Sequence, residues 1–395
     1  MTHRERILAA IRGDVPDRLP WLPRLEFWYR AKLRDGTLPP EFRGLTLMEI
    51  TDRLGIAYYA ILGVPAGLPA EREIVDSALG IRRLASLPYE IEFDGIERRV
   101  THLSRETVVE YPTPAGTLRT AYAFTDEMLA AGASKPWTTR HAIGEPDDID
   151  AAAWVFSHLR VTPRLEGYLA LRERVGDRGI VVASASGFAC PMQLIMKDLM
   201  PFERFFYALQ DYPDKIHRLA DALEPYFDAM KAAAAASPAE VVLLGGNYDD
   251  SVTHPRFFRQ YILPALRGYA ETLHRKGKYL LTHTDGENRR LLPLYLEAGI
   301  DVADSICPWP MTRCSFDEIH RAFAGRITIV GGIPAVLLCP AIATFEDFRR
   351  YVDDIIGRYA RHSHLVLGVS DMVTADCEWS RVQYISDRLT ERPAG

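Results

Sequence analysis

Cysteine is scarce in this chain: Cys190, Cys307, Cys314, Cys339 and Cys377 are five thiols among 395 residues, odd in number and widely spread. A chain of this size has no need of disulfide staples, so the five read as free thiols of a reducing compartment, and a cytoplasmic location is expected. Also missing is any run of the roughly 20 apolar residues that a spanning helix needs. The opening MTHRERILAAIRGD patterns as an amphipathic helix rather than a signal peptide, so no membrane partner is expected. Positive charge is not concentrated: Lys+Arg 47 against Asp+Glu 53 gives net charge -6, with no basic block long enough to follow a phosphate backbone. Nucleic acid is thereby set aside as a partner, and a small polar or anionic molecule stays open. Finally, no Gly-rich dinucleotide fingerprint follows the first strand candidate and no GxxxxGK[ST] loop occurs, which disfavours Rossmann and P-loop chemistry.

What is present is ordinary globular material, 48% apolar and 25% charged, enough to bury a real core. The length exceeds one average domain, yet it suits a single barrel of about 250 residues carrying an added segment. One domain over 1–395 is therefore expected. Thr2 and Glu5 form a capping box for a first helix, with Gly13 and Pro16 as its stop. DRLPWLP, punctuated by Pro20 and Pro23, reads as an edge or first strand. In the following LEFWYRAKLR, Phe27, Trp28, Tyr29 and Arg30 read as a helix packing on the body or as the lining of a planar-ligand pocket. The apolar run Ile56 to Leu62, ending at Gly63, is a second strand candidate.

Residues 86–125 change character, with short alternating strands separated by Asp94-Gly95 and Pro114-Ala115-Gly116 turns, and predict an inserted antiparallel meander. GEPDDIDAAAW then reads as a surface helix leading back to the main body. From about residue 165, helical segments alternate with apolar runs at Ile180 to Ala183, Val241 to Leu244, Tyr279 to Thr282, Ile300 to Ala303, Ile327 to Val330 and Leu365 to Gly368. With the two early candidates these make eight strands, apolar on both faces, and predict a closed parallel (β/α)8 TIM barrel.

Barrel chemistry is built at the carboxyl ends of the strands, and four of the runs end in polar groups. Ser184, Ser186 and Gly187 follow the first of these runs. Gly245, Gly246, Asn247, Asp249 and Asp250 follow the second, His283, Asp285, Gly286 and Glu287 the third, and Ser370 and Asp371 the last. Alternate residues leaving a strand point to one side, so His283 and Asp285 can ligate a metal or act as an acid-base pair. A turn-capping histidine with Asp285 capping a helix near Asn288 is the plainer alternative. Asp249 and Asp250 suit a cation or a substrate amine, or else start the helix that continues as HPRFFRQYILPAL. Catalytic candidates are thus His283, Asp285 and Asp249. Candidate contacts to a small-molecule substrate are Asn247, Asp250, Ser186, Glu287, Asp371 and Ser370. Cys307 and Cys314 flank a Pro-Trp-Pro loop but match no compact zinc module, and Cys339 and Cys377 are individually uninformative.

RERILAAIRGDVPDRLP, TPAGTL, DDSVTHPRFFRQYILPAL, LLTHTDGENRRLLPLYLEAGID, GGIP and LGVSDMVTAD, in this order, resemble the uroporphyrinogen decarboxylase-like superfamily. That superfamily includes decarboxylases and cobalamin- or folate-linked methyltransferases, and its TIM barrel agrees with the eight strands counted above. Where uroporphyrinogen decarboxylases carry an arginine-rich RxxxRQAGRY-like segment, this chain has WLPRLEFWYRAK, so the methyltransferase-related branch is the nearer match. In thiol-methylating members, a zinc is held by a His-x-Cys pair and a late Cys. Here His283 is kept, Asp285 stands in place of the first Cys, and Val369 and Ser370 stand near the late position.

The resemblance implies one of two arrangements. Either zinc is held by His283 and Asp285 with Cys307, Cys339 or Asp371, or no metal binds and His283 with Asp285 serves acid-base or substrate-binding roles. The implied activity is transfer or removal of a methyl group, between a small methylated substrate or a thiol or tetrahydrofolate carrier and a corrinoid (cobalamin). No internal repeat or linker marks a corrinoid domain, so that cofactor is expected free or on a separate corrinoid protein. Two alternatives stand beside it. One is a metal-independent decarboxylase of a carboxylated small molecule such as a tetrapyrrole, with Asp249 or Asp371 stabilising a developing cation. The other is a ligand-binding module that has lost catalysis.

Overall fold

The computed structural model describes residues 1–61, 70–133 and 135–391, so Leu62 and Gly63, the expected end of the second strand run, lie outside the described residues. The chain opens on the helix His3–Arg12, started by the Thr2/Glu5 capping box and stopped at Gly13, whose φ of +88° only glycine adopts without cost. The segment LEFWYRAKLR folds as the helix Glu26–Arg34. Its Trp28 stacks on Trp379 of the last helix at 4.7 Å, with Phe42 edge-on to both rings, so this face is packing and not a ligand pocket.

Strand β1 (Tyr58–Ala60) is followed by antiparallel structure: β2 (Tyr89–Phe93), β3 (Arg99–His102), β4 (Thr107–Thr113), β5 (Gly116–Ala123), β6 (Trp137–Arg140) and β7 (Leu159–Pro163). Strands β3, β4, β5 and β6 pair in sequence order, whereas β2 pairs with β7. The meander anticipated over 86–125 is therefore paired differently. After the Asp94-Gly95 turn, the amide of Asp94 donates to the carbonyl of His158 at 2.8 Å, which draws β2 to the later strand instead of to β3. The helix Asp148–Ser157, anticipated as a surface element, buries Ile149, Ala151, Ala152, Val155 and Phe156 and so packs one full face.

Parallel strands follow, β8 (Gly179–Val181) and β9 (Ala183–Ser186) joined through Val182 and the rest separated by helices: β10 (Val241–Gly246), β11 (Tyr279–His283), β12 (Val302–Ile306), β13 (Thr328–Pro334) and β14 (Leu365–Ser370). Every residue of β10, β12, β13 and β14 is buried, as strands covered on both faces must be. The fold is α/β, with β9 to β14 forming one six-stranded parallel sheet in sequence order and β1 pairing with β8.

The closed barrel anticipated from the strand count is not one unbroken ladder. Between β8 and β9, the amide of Val182 donates to Ala60 at 2.8 Å. Between β14 and β1 lies the segment around Trp21, which makes a single parallel bridge to Leu367. Leu22 donates to Leu367, Leu367 to Pro20 and Ala57 to Trp21, at 2.8, 2.9 and 3.0 Å. Pro20 and Pro23 have no N–H to give, so this segment supplies a seam of isolated bonds in place of a strand. Among the described residues no helix is long and apolar enough to cross a membrane.

Candidate active site

His283 is the last residue of β11, and the parallel register sets it opposite Asp304 on β12. Its Nδ1 donates to Oδ2 of Asp304 at 2.6 Å, while Oδ1 of the same carboxylate accepts the hydroxyl of Tyr59 at 3.0 Å. Asp304 is wholly buried, so both of its oxygens are spent on fixing neighbours. With Nδ1 occupied, the ring turns Nε2 toward two further carboxylates, 3.5 Å from Oδ1 of Asp371 and 3.7 Å from Oδ1 of Asp285. Burial opposes charge on this imidazole most strongly. Asp371, the hydrogen bond and charge of Asp304, and Asp285 override it and hold the group up at about 9. His283 is an imidazolium at neutral pH.

The two flanking carboxylates differ. Burial works to raise Asp371, but Arg24, whose Nη1 donates to its Oδ1 at 2.5 Å, and His283 outweigh it, and the carboxyl sits below its ordinary range. Asp285 is moved the other way: burial outweighs His283 and raises it. Asn247 Nδ2 donates to its Oδ2 at 2.9 Å, while its buried Oδ1 has no hydrogen-bond partner. Lys197 Nζ in turn donates to the carbonyl of Asn247 at 2.7 Å. Asn247 and Ser305 both adopt left-handed backbone, at φ +55° and +60°, a conformation costing about 1 kcal/mol or more in a non-glycine residue and concentrated at functional sites. Gly246 is paired with His283 across the sheet, and a Cβ there would meet His283 Cβ at 2.8 Å. Close approach of β10 to the histidine therefore requires glycine.

A cavity of about 420 Å³ adjoins this cluster. Tyr89, Phe188 and Met230 give it apolar walls, and Ser184, Ser186, Lys197 and Asn247 give it polar ones. Asn247 belongs to both cavity and cluster.

Of the residues singled out in the sequence, His283, Asp285, Asp371 and Asn247 come together here, and Ser186 lines the cavity, where its Oγ accepts the amide of Phe188 at 3.1 Å. The others are occupied elsewhere. Asp249 accepts the amides of Ser251 and Glu287 at 2.9 and 3.1 Å. Asp250 accepts the amide and guanidinium of Arg290 at 2.9 and 3.0 Å. Glu287 accepts the amides of Arg289 and Arg313 at 3.2 and 2.7 Å. These three carboxylates brace loops, because exposed backbone N–H groups at strand ends need acceptors. Ser370, wholly buried, donates to Ile306 at 2.7 Å and accepts from Gly332 at 3.2 Å, stitching strands together. Asp285 does not cap a helix at Asn288; the next helix starts at Leu292, and Asn288 binds the carbonyls of Thr284 and Gly286.

The side chains anticipated as a zinc set, His283, Asp285 and Cys307, do not bring their ligand atoms within 4.8 Å of one another. Asp304 takes Nδ1 and leaves Nε2 open, while Arg24 takes the near oxygen of Asp371. Cys307, pushed up to about 12 by burial, donates its thiol to Ser305 at 3.4 Å. Among the described residues, the side chains whose ligand atoms lie within 4.8 Å of one another are instead Cys339, Asp376 and Cys377.

Sequence reading missed Arg24, Glu26, Tyr59, Lys197 and Asp304. Glu26 stands beside Arg24 with a buried Oε2 that makes no hydrogen bond, and burial pushes its carboxyl up. Only Asp304 left a usable signal, a lone acid inside the apolar run VADSI.

The family model described as uroporphyrinogen decarboxylase (URO-D) matches residues 120–391, more than half of the chain. A methyltransferase from Methanosarcina mazei is similar in structure, with a TM-score of 0.56 and 14% identity, covering 99% of this chain and 99% of that one. At that identity the likeness is one of fold. A dipeptide epimerase from Methylococcus capsulatus, 13% identical over 57% of this chain and 89% of its own, reaches a TM-score of only 0.14 and supports nothing further. No curated protein matches the chain.

Proposed function

Because the chain belongs to the uroporphyrinogen decarboxylase family, we propose that it is a methyltransferase within it, removing a methyl group from a small methylated substrate. The observation that carries this reading is His283, fixed by the buried Asp304 and flanked by Asp371 and Asp285, in a cluster that meets the cavity through Asn247. When a heteroatom–methyl bond breaks, the electron pair stays on the heteroatom and the methyl passes to a nucleophile. A proton from Nε2 then neutralises the leaving heteroatom, which is general-acid catalysis worth about 10²–10⁴ in rate. Asp304 keeps the ring oriented throughout, and Asp371 and Asp285 hold its charge before the proton leaves.

The methyl acceptor in this reading is a corrinoid, free or on a separate corrinoid protein, or tetrahydrofolate, and it supplies the nucleophile when bound. No step is routed through zinc, because His283, Asp285 and Cys307 do not bring their ligand atoms within 4.8 Å of one another. The substrate sits in the cavity against Tyr89, Phe188 and Met230, with Asn247 at its reacting end. We further read the eight parallel segments as a closed (β/α)8 barrel with residues 86–125 inserted, working in the cytoplasm as its five free cysteines suggest.

The test is incubation under reducing conditions with methylated amines, thiols and methoxyarenes as donors, and cob(I)alamin or tetrahydrofolate as acceptor. Formation of methylcobalamin or methyltetrahydrofolate is expected, falling about 100-fold or more in His283→Gln. The same proton would also quench the carbanion left when carbon dioxide departs. Carbon dioxide release from a carboxylated donor, with no methyl transfer from any donor, would overturn the reading in favour of a decarboxylase.

A further inference from the structure

Cys339 ends the short helix that follows β13, and Cys377 lies in the loop that follows β14. The fold brings these thiols, 38 residues apart in the chain, to an Sγ–Sγ distance of 3.7 Å. Both residues are more than nine-tenths buried, at 4% and 5% exposure, while Asp376 beside them is exposed. Their other polar contacts are to Ala335 O, 3.7 Å from Cys339 and 3.9 Å from Cys377, and to the Thr374 hydroxyl, 3.3 Å from Cys377. Ligand atoms of Cys339, Asp376 and Cys377 all lie within 4.8 Å of one another.

A disulfide needs its sulfurs about 2.05 Å apart. Two thiolates bound to one tetrahedral zinc at about 2.3 Å each are separated by about 3.8 Å, and the observed 3.7 Å matches that spacing. A carboxylate as third donor, on the solvent side, leaves a fourth position open to water. We propose that Cys339, Asp376 and Cys377 bind zinc, or another borderline-soft divalent cation, at a site separate from His283. Two thiolates with one carboxylate suit such an ion better than magnesium or calcium, which prefer oxygen alone. On binding, each thiol releases one proton to solvent, two per ion, and two metal–sulfur bonds form.

The ion would tie the loop after β13 to the loop after β14. The latter begins at Asp371, next to His283, and is already fastened to the N-terminal segment by Val373, which donates to Arg24 O at 2.9 Å and accepts from Trp28 at 3.1 Å. The proposed site thus braces the backbone that presents Asp371 and does not touch the reacting atoms.

The experiment is metal analysis of the full chain after loading with zinc and removal of excess, together with cobalt substitution. About one ion per chain and a thiolate-to-cobalt charge-transfer band are expected, as for a tetrahedral site with sulfur ligands. Both should vanish in Cys339→Ser/Cys377→Ser, affinity should fall about tenfold or more in Asp376→Asn, and both should persist in His283→Ala. Absence of a retained ion, or an ion kept by the double serine variant and lost in His283→Ala, would overturn the proposal. If the serine variant does not fold, the cobalt spectrum of the unaltered chain decides: a band without sulfur character is equally fatal.

Discussion

Exchanging Asp304 for Asn keeps the shape of a wholly buried side chain and removes its charge. In the native protein this carboxylate accepts from Nδ1 of His283 at 2.6 Å and from Tyr59 at 3.0 Å. Burial disfavours the imidazolium, yet Asp371, Asp304 and Asp285 raise the group from 6.5 to about 9. That rise is about 3 kcal/mol in favour of the charged form, at about 1.4 kcal/mol per pH unit. The folded value exceeds the unfolded one, so the stabilisation is complete below about pH 6.5 and disappears as pH climbs through about 9. The Asp304→Asn exchange removes one charge-assisted hydrogen bond, about 1.5–3 kcal/mol, which lowers the His283 midpoint by about one to two pH units. The assay is a proton NMR titration of the His283 ring, paired with urea unfolding at about pH 6 and about pH 10. Native protein should lose about 3 kcal/mol between these pH values and Asp304→Asn about 1 kcal/mol. A native midpoint near 6.5, or a variant still titrating near 9, would refute the coupling on which the acid role rests.

Gly246→Ala places a methyl 2.8 Å from His283 Cβ. Methyl-transfer activity should fall about 100-fold, as misplaced catalytic groups do, for a stability loss of about 1–3 kcal/mol by chemical denaturation. Arg24→Gln leaves Asp371 with His283 alone as its cation and should cost about 1.5–3 kcal/mol; it should also raise the Asp371 carboxyl, shifting the acid limb of the pH–rate profile upward. Trp28→Ala empties the stack against Trp379 and should cost about 3–5 kcal/mol in urea unfolding, without changing the His283 titration.

How much was legible depends on where each signal sits in the chain. The runs at Val241, Tyr279 and Leu365 announce buried parallel strands because nothing but apolar burial explains them, and β10, β11 and β14 begin at those residues. Ile300 and Ile327 lie just ahead of β12 and β13, since apolar character alone does not fix where pairing begins. His283 and Asp285 were readable because a polar pair at a strand end is conspicuous. Asp249, Asp250 and Glu287 looked the same in sequence, yet their oxygens satisfy backbone amides, a distinction that only the loop geometry makes. Arg24 and Tyr59 were illegible, because they act on residues 347 and 245 positions away, across the seam where prolines hide the strand. Cys339 and Cys377 meet only because β13 and β14 are neighbours.

The salt bridge between Arg24 and Asp371 spans 347 residues. At about 5–20 residues per second of synthesis, roughly 20–70 s separate the appearance of its two partners on the ribosome. For that interval the nascent chain carries His283 without one of its anions and Arg24 without its acceptor, so this charge cluster is incomplete until Asp371 emerges. Translation that stops before Asp371 yields a chain with most strands made and His283 flanked by Asp304 and Asp285 alone. The full charge balance around His283 thus forms only once synthesis has passed Asp371.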